Sequence, residues 1–159
     1  MDAIVAVYAD WGIGAKETQP IALSADRAYF RKMTKGAAVI VGRKTVEDFP
    51  GGKPLPGRAN LLLTRQAIAL PGFEIVHSPE EALERAAAFE KVFVIGGASV
   101  YKTLLPYCSR VFVTKLAVCP ESDVFFPNLE ENSQWKLTET LGAGEENGIA
   151  YEFLLFQRS

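Results

Sequence analysis

Six short segments of this chain are almost continuously apolar and rich in β-branched residues. They are AIVAVYA (3–9), AAVIVG (37–42), NLLLT (60–64), FEIVH (73–77), KVFVIG (91–96) and RVFVTKLAV (110–118). Strands buried on both faces read in this way, because neither face has to meet water. Three segments between them carry a helical pattern instead: SADRAYFRKMT (24–34), SPEEALERAAAFE (78–90) and ASVYKTLLPYC (98–108). Ser24 and Ser78 stand where N-caps belong, and Pro79 takes a first helical position. Strands that alternate with helices predict parallel β-α-β units. The last part differs, since QWKLTETLGAGEENGIAYEFLLFQR (134–158) reads as two strands around a Gly/Asn/Glu turn, an antiparallel hairpin. The pattern predicts an α/β fold with a mostly parallel, twisted sheet, helices on both faces and an antiparallel edge.

One connection breaks the pattern. DWGIGAKETQPIAL (10–23) joins the first strand to the first helix, and structureless loops of that length are uncommon in compact domains. Trp11, Ile13, Ile21 and Leu23 make it apolar for a passive surface loop, which favours a lid or binding loop.

Composition narrows the function. The 159 residues fit one domain, and 48% of them are apolar, enough for a sizeable core. With 17 Lys and Arg against 19 Asp and Glu, the net charge is −2, without the basic surplus of a nucleic-acid binder. No apolar run approaches ~18 residues, and MDAIVAVYAD lacks the features of a signal peptide. Cys108 and Cys119 lack metal-ligand spacing and make no disulfide framework. We therefore expect a reduced, cytoplasmic protein with no metal.

Ligands of open parallel sheets bind beyond the carboxyl ends of the strands. There this sequence collects glycines, hydroxyls and cations: Gly12 and Gly14, then GRKT (42–45), Arg65, His77 with Ser78, and Gly96-Gly97. Gly96-Gly97, where a strand meets a helix, is either a tight turn or a place where backbone N–H groups approach a phosphate. GRKT repeats the arrangement and suggests a ligand with phosphates in two places. Lys44, Arg65 and His77 could surround an extra ribose phosphate. Neither motif is a full dinucleotide fingerprint or a P-loop. Asp26 falls in the first turn of a helix, where a carboxylate favours the dipole. It also shares a face with Phe30, and on a cleft wall it could hold a protonated, nitrogen-rich ring. No nucleophile–base pair stands out.

Taken together, IVAVYADWGIG, SADRAYFRKMT, VIVGRKTVEDF, PLPGRANLLLT, VFVIGGASVY and SDVFFP resemble bacterial dihydrofolate reductases in order and spacing, over essentially the whole chain. The resemblance implies a single dihydrofolate-reductase-like domain over residues 1–159 with an eight-stranded sheet. It implies reduction of dihydrofolate by NADPH, with hydride transfer to C6 and protonation of N5, in one-carbon metabolism. Asp26 matches the carboxylate that binds the pterin's 2-amino group and N3. Phe30 matches the aromatic residue beside the benzoyl ring, and Arg58 the arginine that grips the α-carboxylate of the substrate. Ile4, Val5, Ala6, Leu55, Ile95, Tyr101 and Thr114 match other pterin-site positions, and Ile21, Arg27, Arg31, Phe49 and Lys53 complete the implied substrate side.

On the cofactor side the resemblance implies Ala6, Ile13, Gly14, Ala15 and Gln19 from the first strand and loop. It adds Gly42, Arg43, Lys44 and Thr45, then Leu63, Thr64, Arg65 and His77. It ends with Ile95, Gly96, Gly97, Ala98, Ser99, Val100 and Tyr101. The loop from Ala9 to Leu23 matches a mobile loop that closes over nicotinamide, and Asp123 an acidic residue that helps hold it. Three positions depart from the family: Ile21 follows Pro20 where tryptophan is common, and Arg27 and Gln19 replace apolar residues. Arg27 is expected to lie along the benzoyl ring and extend toward the substrate's glutamate tail. The family also implies a monomer that binds antifolates. Two other readings share the fold: a pyrimidinone reductase of riboflavin synthesis, and a nucleotide-binding protein without catalysis.

Overall fold

The computed structural model describes residues 1–15 and 21–159. Among them, eight strands form one sheet. In chain order they are β1 (Asp2–Val7), β3 (Ala38–Gly42), β4 (Ala59–Leu63), β5 (Phe73–Val76), β6 (Val92–Gly96), β7 (Arg110–Leu116), β9 (Trp135–Glu146) and β10 (Ile149–Arg158). Two short strands, β2 (Gly12–Gly14) and β8 (Val124–Phe125), pair apart from it. The spatial order of the large sheet is β5-β4-β3-β6-β1-β7-β10-β9. The first six strands run parallel, and β10 pairs antiparallel with both β7 and β9. The hairpin turns on Asn147 and Gly148, both at positive φ (52° and 78°), as a two-residue turn of matching twist requires.

Alternation along each strand divides the core in two. Ala3, Val5 and Val7 of β1 face one side with Ala38, Ile40, Leu61, Val94 and Val113, while Ile4 faces the other with Val39, Val41, Leu62, Ile95 and Phe112. The central strands β1, β3, β6 and β7 are thus apolar on both faces because each face is covered. The first face is closed by α3 (Pro79–Ala86) and α4 (Ala98–Leu104), through Ala82, Ala86, Val100 and Leu104. The second is closed by α1 (Ser24–Thr34), through Tyr29, Phe30 and Met33. Tyr29 stacks on Phe153 of β10 with ring centroids 4.0 Å apart. A short helix, α2 (Arg43–Val46), follows β3 directly.

The two expected N-caps behave differently. Ser78 accepts the Glu81 N–H at 3.1 Å and caps α3 as expected. Ser24 does not cap α1, which begins at Ser24 itself after the extended Leu23. The free N–H groups of Ser24 and Ala25 instead donate to the Glu146 carboxylate, at 2.8 and 2.9 Å. A charged acceptor with two oxygens satisfies both donors, which one local hydroxyl does not.

The long connection is only partly a loop. Trp11 and Leu23 are buried, and Trp11 stacks with Phe126, meets Phe156 edge-on and donates from Nε1 to Glu130 at 3.1 Å. β2 is held to β8, and the Asp123 N–H donates to the Gly14 carbonyl at 3.0 Å. Gln19 and Pro20, with residues 16–18, lie outside the described residues.

Candidate functional site

β1, β3 and β6 end together beside α1, α2 and α4, and a cleft of about 810 Å³ opens there. That volume suits a bound cofactor or substrate. Its position, beyond the carboxyl ends of neighbouring parallel strands, follows from the crossovers around β1.

One half of the cleft is shaped by glycines. Gly42 ends β3, and a β-carbon there would come within 2.9 Å of Val100 Cγ2. Gly96 sits at φ +128°, a conformation that side chains rarely adopt, and a β-carbon on Gly97 would lie 3.1 Å from Thr45 Oγ1. The Gly96–Gly97 peptide bond is cis. Around this bare backbone stand Arg43, Lys44 and Thr45 of α2, Leu63 at the end of β4 with Thr64 and Arg65 after it, and His77 after β5. Ala98, Ser99 and Val100 of α4 continue the wall. His77 Nδ1 lies 2.9 Å from the Thr64 carbonyl. A carbonyl can only accept, so Nδ1 carries the hydrogen. Arg43 reaches Glu47 at 3.7 Å. Close-approach backbone, hydroxyls and a rim of cations make a donor set that fits a polyphosphate with an extra phosphate.

The other half holds Asp26. It lines the cleft with Phe30, Ile4, Val5 and Ala6, while Ile13 and Gly14 of β2 line the same opening. Burial raises the pKa of Asp26 above the usual carboxylate range; the neighbouring Thr114 hydroxyl and the charge of Arg27 partly offset this. Thr114 is 1% exposed on β7, so this partner is fixed by the sheet. Tyr101 closes the floor and donates its hydroxyl to the Ile4 carbonyl at 2.7 Å. Burial first, and Asp26 second, push the hydroxyls of Tyr29 and Tyr101 up, so both stay protonated.

Beyond Phe30, the apolar wall continues through Leu55 and Phe49, packed on the same core cluster. Arg58 lies over the Phe30 ring, 6.0 Å from its centroid, and is tied by Nε to the Pro56 carbonyl (3.0 Å) and by Nη1 to Thr34 Oγ1 (3.1 Å). Burial and the nearby charge of Arg31 lower its pKa. Two cations close enough to repel mark a place for a carboxylate. The turn that presents Arg58 is pinned by the buried Asn60, which accepts from the Leu55 N–H and donates to the carbonyls of Leu55 and Arg58.

The structure therefore brings most of the expected residues to one cleft, and sets others behind or beside it. Ile21 packs on Tyr8 and exchanges two backbone hydrogen bonds with its hydroxyl. Arg27 and Lys53 are exposed. The charge of Arg27 acts on Asp26 and Glu146, on the hairpin side of α1. Ala15 pairs as an isolated bridge after β2, and Gln19 is outside the described residues. Four further residues line the cleft: Asp48, Pro79, Thr103 and Val124. Pro79 follows His77 and Ser78, and Thr103 stands one helical turn after Ser99 on α4. Val124 arrives through the β2–β8 pairing, which the sequence signals only through the resemblance that sets Asp123 against the loop.

A family model described as dihydrofolate reductase matches residues 1–158. The dihydrofolate reductase of Bacillus subtilis is 39% identical over 158 residues, covering 98% of this chain and 92% of that protein. That of Haemophilus influenzae is 35% identical, covering 98% of this chain and 96% of its own. A solved structure of dihydrofolate reductase from Enterococcus faecalis, complexed with NADP(H) and RAB-propyl, matches with a TM-score of 0.88 at 31% identity, covering 99% of this chain and 95% of that one.

Proposed function

The chain belongs to the dihydrofolate reductase family, and from that premise we propose that it reduces 7,8-dihydrofolate to 5,6,7,8-tetrahydrofolate with NADPH. The observation that carries the proposal is the position of Asp26 on the wall of the same cleft that holds a glycine-and-cation cradle. NADPH, when bound, supplies the hydride that adds to C6 of the pterin. Gly96, Gly97 and Thr45 would hold its pyrophosphate, and Lys44, Arg65 and His77 its ribose phosphate.

The chain's own residues do the rest. Asp26 accepts hydrogen bonds from the pterin's 2-amino group and N3, and its charge favours the ring protonated at N5. The N5 proton comes from solvent rather than directly from Asp26. Thr114 keeps the carboxylate oriented. Phe30, with Leu55 and Phe49 beside it, offers an apolar wall to the benzoyl ring and keeps water off the reacting face. Arg58, steadied by Thr34 and Pro56, presents its remaining donors to the α-carboxylate, and Arg31 adds a second charge. We extend the proposal to a cytoplasmic monomer whose partners are small molecules.

The test is NADPH oxidation followed with dihydrofolate and, separately, with the pyrimidinone of riboflavin synthesis. Turnover with dihydrofolate alone supports the proposal. Turnover with the pyrimidinone alone, or with neither, overturns it.

A further inference from the structure

We infer that Glu146, on the tip of the C-terminal hairpin, is a positioning residue for Asp26. The inference rests on the proposed function and adds to it a residue far from the cleft in sequence. Glu146 is the last residue of β9 and pairs with Ile149 across the two-residue turn. Its carboxylate takes three hydrogen bonds from the start of α1: from the Ser24 N–H at 2.8 Å, the Ser24 hydroxyl at 2.8 Å and the Ala25 N–H at 2.9 Å. Asp26 is the next residue.

Three features make this more than a surface contact. First, α1 has no side-chain cap of its own, so Glu146 supplies the partners that the first two N–H groups lack. Second, the tip that carries Glu146 is itself fixed. Ile149 and Tyr151 of β10 pack with Tyr8, Leu23 and Leu116, and the Ala117 N–H donates to the Ala150 carbonyl at 2.8 Å. Third, these bonds hold Glu146 ionised by lowering its pKa, and Arg27 lies where it attracts both Glu146 and Asp26. The first turn of α1 is thus set from outside, by an anion on the same hairpin whose other strand also flanks β7 and Thr114. A small displacement of that turn moves Asp26 relative to Thr114 and to the ring it binds, and enzymes lose rate steeply with such displacements.

The cradle on β3, β6 and α4 is built from other elements. The two sides should therefore respond separately. The experiment compares Glu146→Ala, Glu146→Gln and Glu146→Asp with the unaltered chain, in protein shown to be folded by circular dichroism and thermal melting. It measures kcat and KM for dihydrofolate, the dissociation constant of NADPH, and amide hydrogen exchange at Ser24, Ala25 and Asp26. We expect Glu146→Ala to lower kcat/KM for dihydrofolate by about tenfold or more and to speed exchange at these amides. NADPH binding should stay within about twofold. Glu146→Gln, which keeps an acceptor and loses the charge, should fall between, and Glu146→Asp should restore part of the loss. Glu146→Gln and Glu146→Asp carry the test if Glu146→Ala does not fold. Equal losses for dihydrofolate and NADPH, or unchanged kinetics in folded variants, would overturn the positioning role. An unaltered chain that does not turn over dihydrofolate would overturn the functional proposal itself.

Discussion

A carboxylate drawn out of water toward apolar neighbours has two consequences, one for catalysis and one for stability, and Asp26 should show both. Asp26→Asn keeps the shape and removes the charge. At pH 7 it should lower turnover by roughly 10²–10³-fold, the usual cost of removing one preorganised group that stabilises charge in the transition state. Activity should return in part at low pH, where the pterin arrives already protonated. An unchanged rate at neutral pH would remove Asp26 from its role. The stability effect has the opposite sign. Burial raises the pKa of Asp26 in the folded chain. Between the ordinary carboxylate range, about pH 4, and that raised value, the folded form keeps a proton that the unfolded form has released. Unfolding then releases a proton, so stability falls as pH rises through this window. Asp26→Asn is free of that loss. It should melt at a higher temperature than the unaltered chain at pH 7, with the two converging toward pH 4. A lower Tm at pH 7 would mean that the lost Thr114 contact outweighs the relief of desolvation. The carboxylate itself was legible in the sequence, as was Phe30 four residues on. Thr114 was legible only through the family resemblance, and the chain of contacts leading to Glu146 was not legible at all, because it joins positions about 120 residues apart that meet only through the sheet.

The central strands were legible because each had to be apolar on both faces, the C-terminal hairpin because of its turn residues, and the helices because they closed those faces with the expected period. What escaped the pattern was built from few residues or from distant partners. β2 is Gly-Ile-Gly and β8 is Val-Phe, and neither length nor composition marks them; their pairing exists because β1 and the segment after β7 end side by side. The cradle also belongs to this scale, since its cations come from separate segments, Lys44 from α2 and Arg65 from the turn just after β4. Both are exposed, so their interaction with a ligand phosphate depends on salt. Replacing both with neutral residues should weaken NADPH far more than NADH. Charge-assisted hydrogen bonds contribute about 1.5–3 kcal/mol each, so a loss of about tenfold or more per residue is expected at low salt, shrinking as salt is added. The measurement is the dissociation constant of both cofactors in the single and double variants. Equal losses for NADPH and NADH would mean that Lys44 and Arg65 shape the cleft without reading the extra phosphate.

At the scale of the whole molecule, the chain's last strand is not the sheet's edge. β10 lies between β7 and β9, so the sheet closes only when residues 149–158 are in place. Phe156 shows what that strand joins. It is 1% exposed, pairs with Val111 of β7 and Leu137 of β9, and presents an edge to Trp11, 5.7 Å between ring centroids, at the root of the loop that follows β1. Trp11 in turn contacts Phe126, whose ring meets Tyr101 at 5.1 Å on the floor of the cleft. The segment after the first strand, the last strand and the cleft floor therefore share one aromatic cluster. Because the strands meet across long stretches of sequence, a cavity at Phe156 should weaken the whole fold rather than fray one end. We expect Phe156→Ala to reduce unfolding free energy by about 3–5 kcal/mol, the cost of an emptied aromatic site, out of the ~5–15 kcal/mol that holds a chain of this kind together. Urea unfolding, followed both by tryptophan fluorescence and by circular dichroism, should still give one coincident transition, moved to lower urea with its slope unchanged. Two separated transitions, or a loss below about 1 kcal/mol, would show that the C-terminal strand is a dispensable edge and that the chain is not a single cooperative unit.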